Sequence, residues 1–246
     1  MTRWKLTIEH DGSPYVGWQR QAEGASVQQE IEEAIWKFSG ETVRLHAAGR
    51  TDAGVHALGQ VAHFDLERPS DSHTVREALN AHLRPQPISV LSAEAVDNHF
   101  HARMSARRRR YRYVILNRPA RAALDIGRAW HLAYTLDIPA MREGAAHLLG
   151  QHDFSTFRAS ECQAKSPVKT LDQFDIVEDG AYLNFEVSAR SFLHHQVRNM
   201  VGTLALVGRG KWSPARVAQA LAARDRTAGG PTAPPDGLYL VGVDYG

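Results

Sequence analysis

Trp4, Leu6 and Ile8 alternate with Lys5, Thr7 and Glu9, the period-two pattern of a strand with one buried face. The segment Asp11-Gly12-Ser13-Pro14 then turns the chain. Ser26 with Gln29 three positions on reads as a capping box, and Val27, Ile31, Ala34, Ile35 and Phe38 recur at helical spacing until Ser39-Gly40. An amphipathic helix is predicted there. Val43, Leu45 and Ala47 alternate again, as do the residues from Val61 to Leu66, so two strands are expected with a loop between them. A helix over Ser72–Leu83, with Val75, Leu79 and Leu83 in register, and a strand over Ile88–Val96 complete the order β-α-β-β-α-β.

The pattern resets near residues 98–108 and the same order starts again. A strand is expected over Tyr111–Leu116, then a helix over Asp137–Leu149 that Gly150 ends. Val168–Val177 and Tyr182–Val187 flank Glu178-Asp179-Gly180-Ala181, a hairpin signal. A long helix is expected over Ser191–Leu206, a short one opened by Ser213-Pro214, a Gly- and Pro-rich loop over Thr227–Asp236, and a closing strand over Leu238–Val243. The fold class read from this order is α+β, with two ferredoxin-like (βαββαβ) halves, residues 1–104 and 105–246. Their antiparallel sheets are expected to join edge to edge and leave an active-site cleft between the halves.

Composition narrows the class. With 43% hydrophobic and 23% charged residues the chain reads as globular, and no apolar run approaches the ~20 residues of a membrane span. The start, MTRWKLTIEHDG, lacks the apolar core of a signal peptide, and Cys162 is the only cysteine; a cytoplasmic protein without disulfides is expected. Of the 29 basic residues 24 are Arg, which suits phosphate recognition but also follows from genomic base composition. The stretch ARRRRYRYVI is sharper. Five arginines between Arg107 and Arg112, with Tyr111 and Tyr113 among them, resemble a phosphate-binding stripe with stacking rings, although a solvated strand face reads the same way.

Three chemistries lack their motifs. The 13 histidines include the close pairs His99/His101 and His194/His195, but there is no HExxH and no cysteine pair for zinc. Neither GxxxxGK[ST] nor GxSxG is present. AAGRTDAGVHA, residues 47–57, remains: one carboxylate, Asp52, in a glycine-flanked loop between Arg50 and His56. Alone it is a turn in which Asp caps its own backbone. Arg198, placed among apolar residues in SFLHHQVRNMVGTL, requires a carboxylate partner, because an unpaired buried charge is costly. Asp52 is the candidate, and the pairing would hold the acid ionised, as a nucleophile or base requires.

GRTDAGVHA, together with YVGWQRQ (15–21), RYRYVI (110–115), FLHHQVRNMVG (192–202) and GLYLVGVDY (237–245), resembles the bacterial TruA family of tRNA pseudouridine synthases. The resemblance runs in order from Leu6 to the last residues. It implies isomerisation of uridine to pseudouridine at tRNA positions 38, 39 and 40, with no metal or cofactor. It implies Asp52 as the catalytic residue, Tyr111 stacked on the target base, Arg198 paired with the aspartate and Arg50 holding the nucleotide out of the stack. Leu240 is expected to wall the uracil, with Leu238 as the alternative, and Arg107, Arg108, Arg109 and Arg110 to contact the RNA backbone. The resemblance further implies a homodimer that holds the anticodon stem-loop and elbow of tRNA. Lys169 stands where the family often has arginine, which removes a bidentate phosphate contact there. Two other readings stay open on the residues alone. A non-catalytic RNA-binding protein would have no use for Asp52, and a metal-dependent phosphoesterase would lose activity with chelator.

Overall fold

The computed structural model describes all 246 residues and divides into two compact units, residues 1–107 with 239–246, and residues 108–238. It is a mixed α/β protein with five helices and mainly antiparallel strand pairing.

In the first unit β1 (Thr2–His10) lies between β3 (His56–Leu66) and β4 (Ile88–Val96), antiparallel to both. The alternation read at Trp4, Leu6 and Ile8 sends these residues into a core with α1 (Val27–Ser39) and α2 (Ser72–Leu83). Both helices start and stop for local reasons. The Ser26 hydroxyl accepts from the Gln29 amide at 3.3 Å, and Gly40, at φ 77, ends α1 by donating to the Trp36 carbonyl. Only half of the capping box forms; the Gln29 side chain turns along the helix, its Nε2 donating to Glu33. Asp71 caps α2 through Thr74. The strand expected from Val43 is reduced to β2, His46–Ala47. Side chains of α1 intercept the preceding backbone: Glu32 accepts from the Leu45 amide and Gln28 donates to the Leu45 carbonyl.

The last strand, β10 (Leu238–Asp244), runs parallel to β3, with Tyr239 opposite His56 and Leu240 opposite Ala57. Val243 and Tyr245 join Phe100 in covering Ala48, Val61 and Ala102 in a small second core.

The second unit's sheet runs β5 (Arg108–Asn117), β9 (Tyr182–Ala189), β8 (Val168–Asp179), β7 (Gly150–Asp153), with β6 (Trp130–Leu132) parallel to β5. The β8–β9 hairpin turns at Gly180, φ 58, where the sequence placed it. β6 and β7 are additions to the expected order. α3 (Ile138–Ala146) is shorter than expected: the amides of Leu148 and Leu149 bond three residues back, and Gly150 then opens β7 against Leu171. α4 (Gln196–Gly208) starts five residues later than expected. Phe192 and Leu193 are apolar in helical phase, but His195 is left-handed at φ 62 and Gln196 folds back, its Oε1 accepting from the Leu193 amide. α5 (Pro214–Ala223) follows. No helix is long and apolar enough to cross a membrane.

His10, at the end of β1, is 2% exposed and its ring nitrogens have no hydrogen-bond partner. Burial above all, helped by nearby His56, pushes its pKa down to about 4. Between pH 6.5 and 4 the unfolded chain therefore binds a proton there that the fold refuses, so stability falls as pH falls through that window. The depression of His10 alone corresponds to about 3 kcal/mol at the acid end. His63, likewise about 4 through burial and the neighbouring His101, acts in the same direction. Urea unfolding from pH 7 to 4.5 should show this slope, and His10→Leu should flatten it measurably; an unaltered slope would acquit His10.

Candidate active site

Asp52 lies half-buried in the loop between β2 and β3, and that loop is pinned from three sides. From β3, the fully buried Gln60 donates to the Gly49 carbonyl at 2.8 Å. From the YVGWQRQ segment, Trp18 donates its amide to the Thr51 carbonyl at 3.0 Å, and Gly17 forms an isolated bridge with Asp52. Within the loop, the Val55 amide closes a turn on the Asp52 carbonyl at 3.1 Å, with Gly54 left-handed at φ 76. Segment 17–18 is itself held by α1, whose first amides, Val27 and Gln28, donate to the Gly17 and Trp18 carbonyls. The register of the carboxylate is thereby tied to α1 and β3. Closeness matters here: a Cβ on Gly17, which also sits at φ 117, would lie 2.9 Å from the Thr51 carbonyl oxygen.

His56 is buried and its Nδ1 accepts from the Gly12 amide at 3.0 Å, while its ring stacks on Tyr239, centroids 4.8 Å apart. The Asp11 carboxylate also lies 3.2 Å from that nitrogen. The amide geometry makes Nδ1 an acceptor, and Asp11 Oδ1 is meanwhile engaged by the Ser13 amide. The base of GRTDAGVHA thus anchors the Asp11-Gly12 turn over the loop. Arg50 is exposed, and Thr51 beside it is buried with an unpartnered hydroxyl.

The second unit carries Tyr111 and Arg198. Tyr111 is half-buried on β5 opposite Val187, its ring edge-on to Phe192 at 5.1 Å and 87°, which restrains the ring. Arg198, two residues into α4, donates Nε to the Ala233 carbonyl at 2.8 Å, and the Ala233 amide returns a bond to the Arg198 carbonyl at 3.1 Å. Leu240 on β10 is fully buried and Leu238 nearly so.

The arginine stripe is not one surface. Period two along β5 separates Arg108, Arg110 and Arg112 from Arg109, Tyr111 and Tyr113. Arg109, expected to contact RNA backbone, is 8% exposed and donates Nη1 to the Arg190 carbonyl at 2.6 Å. Its guanidinium serves the fold, so it leaves the set of backbone contacts. Arg112 pairs with Glu186 at 2.6 Å, and Arg108 stands 3.8 Å from Asp172. Arg107, Arg108 and Arg110 remain exposed.

Among the histidines, sequence spacing missed the grouping the sheet creates. His46 and His63, opposite one another on β2 and β3, stack at 5.1 Å, and His101 meets His63 at 4.7 Å. His63 Nδ1 is occupied by the Ala102 amide, and His101 Nδ1 by those of Arg103 and Met104. Gln60 and Trp18 were also missed: Trp18 lies within YVGWQRQ and Gln60 in no motif, and their partners, Thr51 and Gly49, are distant in sequence.

A family model described as tRNA pseudouridine synthase matches residues 7–104 and 145–246. The chain is 61% identical over 245 residues to the tRNA pseudouridine synthase A of Paramagnetospirillum magneticum, covering 100% of this chain and 96% of that protein. The protein of the same name from Afipia carboxidovorans is 60% identical, with 100% of both chains covered, and that from Methylocella silvestris 58%, with 100% and 99% covered.

Proposed function

The chain belongs to the tRNA pseudouridine synthase family, and from that premise we propose that it isomerises uridine to pseudouridine in the anticodon stem and loop of tRNA, at positions 38, 39 and 40. The reaction breaks the N1–C1′ glycosidic bond, turns the uracil and joins C5 to C1′; the C5 proton leaves and N1 gains one. The observation that carries the proposal is the half-buried carboxylate of Asp52 in a loop pinned by Gln60, Trp18 and Gly17. A carboxylate held in register suits nucleophile or base chemistry, because an ordered group loses little entropy on reaching the reacting atom.

The other roles follow the family. Tyr111 stacks on the target base, Arg198 pairs with Asp52, Arg50 holds the flipped nucleotide, and an apolar residue of β10, Leu240 or the slightly more exposed Leu238, walls the uracil. Extruding a base costs a few kcal/mol, which phosphate contacts offset; Arg107, Arg108 and Arg110 are assigned to these. Each unit is read as a ferredoxin-like half, supported in the first by the order β1, α1, β2, β3, α2, β4, with β2 reduced to a short strand on β3. The protein is further read as a cytoplasmic homodimer, checked by light scattering with and without tRNA.

Tritium release from C5-labelled uridine in folded tRNA tests the reaction. Release is expected to continue in EDTA with no nucleotide added; turnover that stops and returns only with a divalent ion would overturn the metal-free reading. Arg107, Arg108 and Arg110 changed together to Ala should weaken tRNA binding. They should also flatten its salt dependence, the slope of log K falling by roughly 0.7 to 0.9 for each phosphate no longer neutralised. An identical slope would place these side chains away from the RNA.

A further inference from the structure

Arg198 is held by a strap of chain, and one side chain, Arg226, reaches three points along the path that holds the strap. Residues 229–233 lie flat against α4. A Cβ on Gly202 would fall 1.9 Å from the Pro231 carbonyl oxygen, and one on Gly230 would fall 2.7 Å from Thr203 Cα. The Gly230 amide donates to the Thr203 hydroxyl, which donates to the Asn199 carbonyl, and Ala233 exchanges two bonds with Arg198. Arg226 ties this path together. Its Nη1 donates to the Gly230 carbonyl at 2.9 Å, and its Nη2 reaches the Thr232 hydroxyl at 3.2 Å and Asn199 Oδ1 at 3.3 Å. Asn199 is buried, takes a 2.7 Å bond from the Thr232 hydroxyl and spends its own amide on the Phe157 carbonyl.

We propose that Arg226 is a positioning residue for the isomerisation: by clamping residues 230–232 to Asn199 it sets the Ala233 carbonyl that orients the guanidinium plane of Arg198. The proposal rests on the role given to Arg198 under the proposed function. Nε is the edge nitrogen of a planar fork, so a carbonyl fixed there determines the direction in which the other nitrogens face a carboxylate. Without Arg226 the strap keeps its bonds to α4 at Gly230, Thr232 and Ala233 but loses the cation that joins the Gly230 carbonyl, Thr232 and Asn199, so the Ala233 carbonyl and the plane of Arg198 are less tightly fixed. Arg226 acts through Arg198 and needs no contact of its own with base or phosphate.

The test uses the full chain with Arg226→Ala and the milder Thr232→Val, each alone and combined with Arg198→Ala. Single-turnover pseudouridine formation, tRNA affinity, melting temperature and the ¹⁵N–¹H signal of Arg198 Nε are measured. Arg226→Ala is expected to slow the chemical step about 10-fold, the scale of a small misplacement, with tRNA affinity unchanged. In the Arg198→Ala background it should cost less than about twofold more, since residues acting through one another are not additive. Thr232→Val should show the same pattern at smaller size, and decides the matter if Arg226→Ala does not fold. An equal cost in both backgrounds, or a lower melting temperature with an intact rate, would overturn the proposal. The Arg198 Nε–H resonance, identified by its loss in Arg198→Ala, should shift and exchange faster in Arg226→Ala; an unmoved resonance overturns the positioning whatever the activity. A wild-type protein that releases no tritium overturns the proposed reaction instead, and the resonance still decides whether Arg226 positions Arg198.

Discussion

Asp52→Asn is expected to abolish pseudouridine formation, by at least about 10⁴-fold, while the protein folds and binds tRNA nearly as the wild type does. The factor is the scale on which removal of a nucleophile or base acts, about 5 kcal/mol of transition-state stabilisation. The substitution keeps the size, removes the charge and turns one acceptor oxygen into an NH₂ donor. The backbone features that shape the loop do not involve the carboxylate: the Asp52 carbonyl accepts from Val55, Gly17 bridges by main chain, and Gln60 holds Gly49. An Asp that served only its turn would therefore tolerate Asn, whereas a reacting group would not. Single-turnover product, tRNA affinity and melting temperature are measured on one preparation, checked for deamidation. Wild-type product from a folded Asp52→Asn protein would return the loop to a structural role.

Gly12→Ala is expected to cost about 2–3 kcal/mol of stability and most of the activity, the range for forcing a methyl group into a packed site. A Cβ on Gly12 would lie 2.1 Å from the Val55 carbonyl oxygen, 2.5 Å from its carbon and 2.9 Å from its nitrogen. All three atoms are backbone, so no side chain can swing aside. Either the Asp11–Gly12 turn lifts, breaking the Gly12 amide bond to His56, or residues 52–55 shift and carry the Asp52 turn with them. Urea unfolding reads the first cost and tritium release the second. A control at Gly40, where a Cβ would meet nothing within 4 Å but the backbone sits at φ 77, should lose stability without a matching loss of turnover in the folded protein. If Gly12→Ala behaves like the Gly40 control, the close approach to Val55 does not position the loop.

Much of this protein was legible in its sequence because it is decided over short range. The strand at Trp4–Ile8, the span of α2 and the hairpin at Gly180 depend on side-chain period, capping and left-handed glycine, all expressed within a few residues. The glycine-flanked acid and the histidine beyond it were likewise visible, and the relatives carry the same name across the full chain. What the tertiary structure alone decided involves partners far apart in sequence. Nothing local says that Glu32 and Gln28 will take the backbone of Leu45 and shorten β2, or that β10 will lie parallel to β3. The pinning of Asp52 by Gln60 and Trp18, and of Arg198 by Ala233, belongs to the same kind. The five arginines are the simplest case. As a string they are one charged stripe, but a strand turns successive side chains to opposite faces. Pairing with β9 buries Arg109 against the Arg190 carbonyl and leaves Arg108 and Arg110 outside. Charge is a property of the sequence; which way it faces, and whether a carbonyl or a carboxylate meets it there, is fixed only when the distant strands are in place.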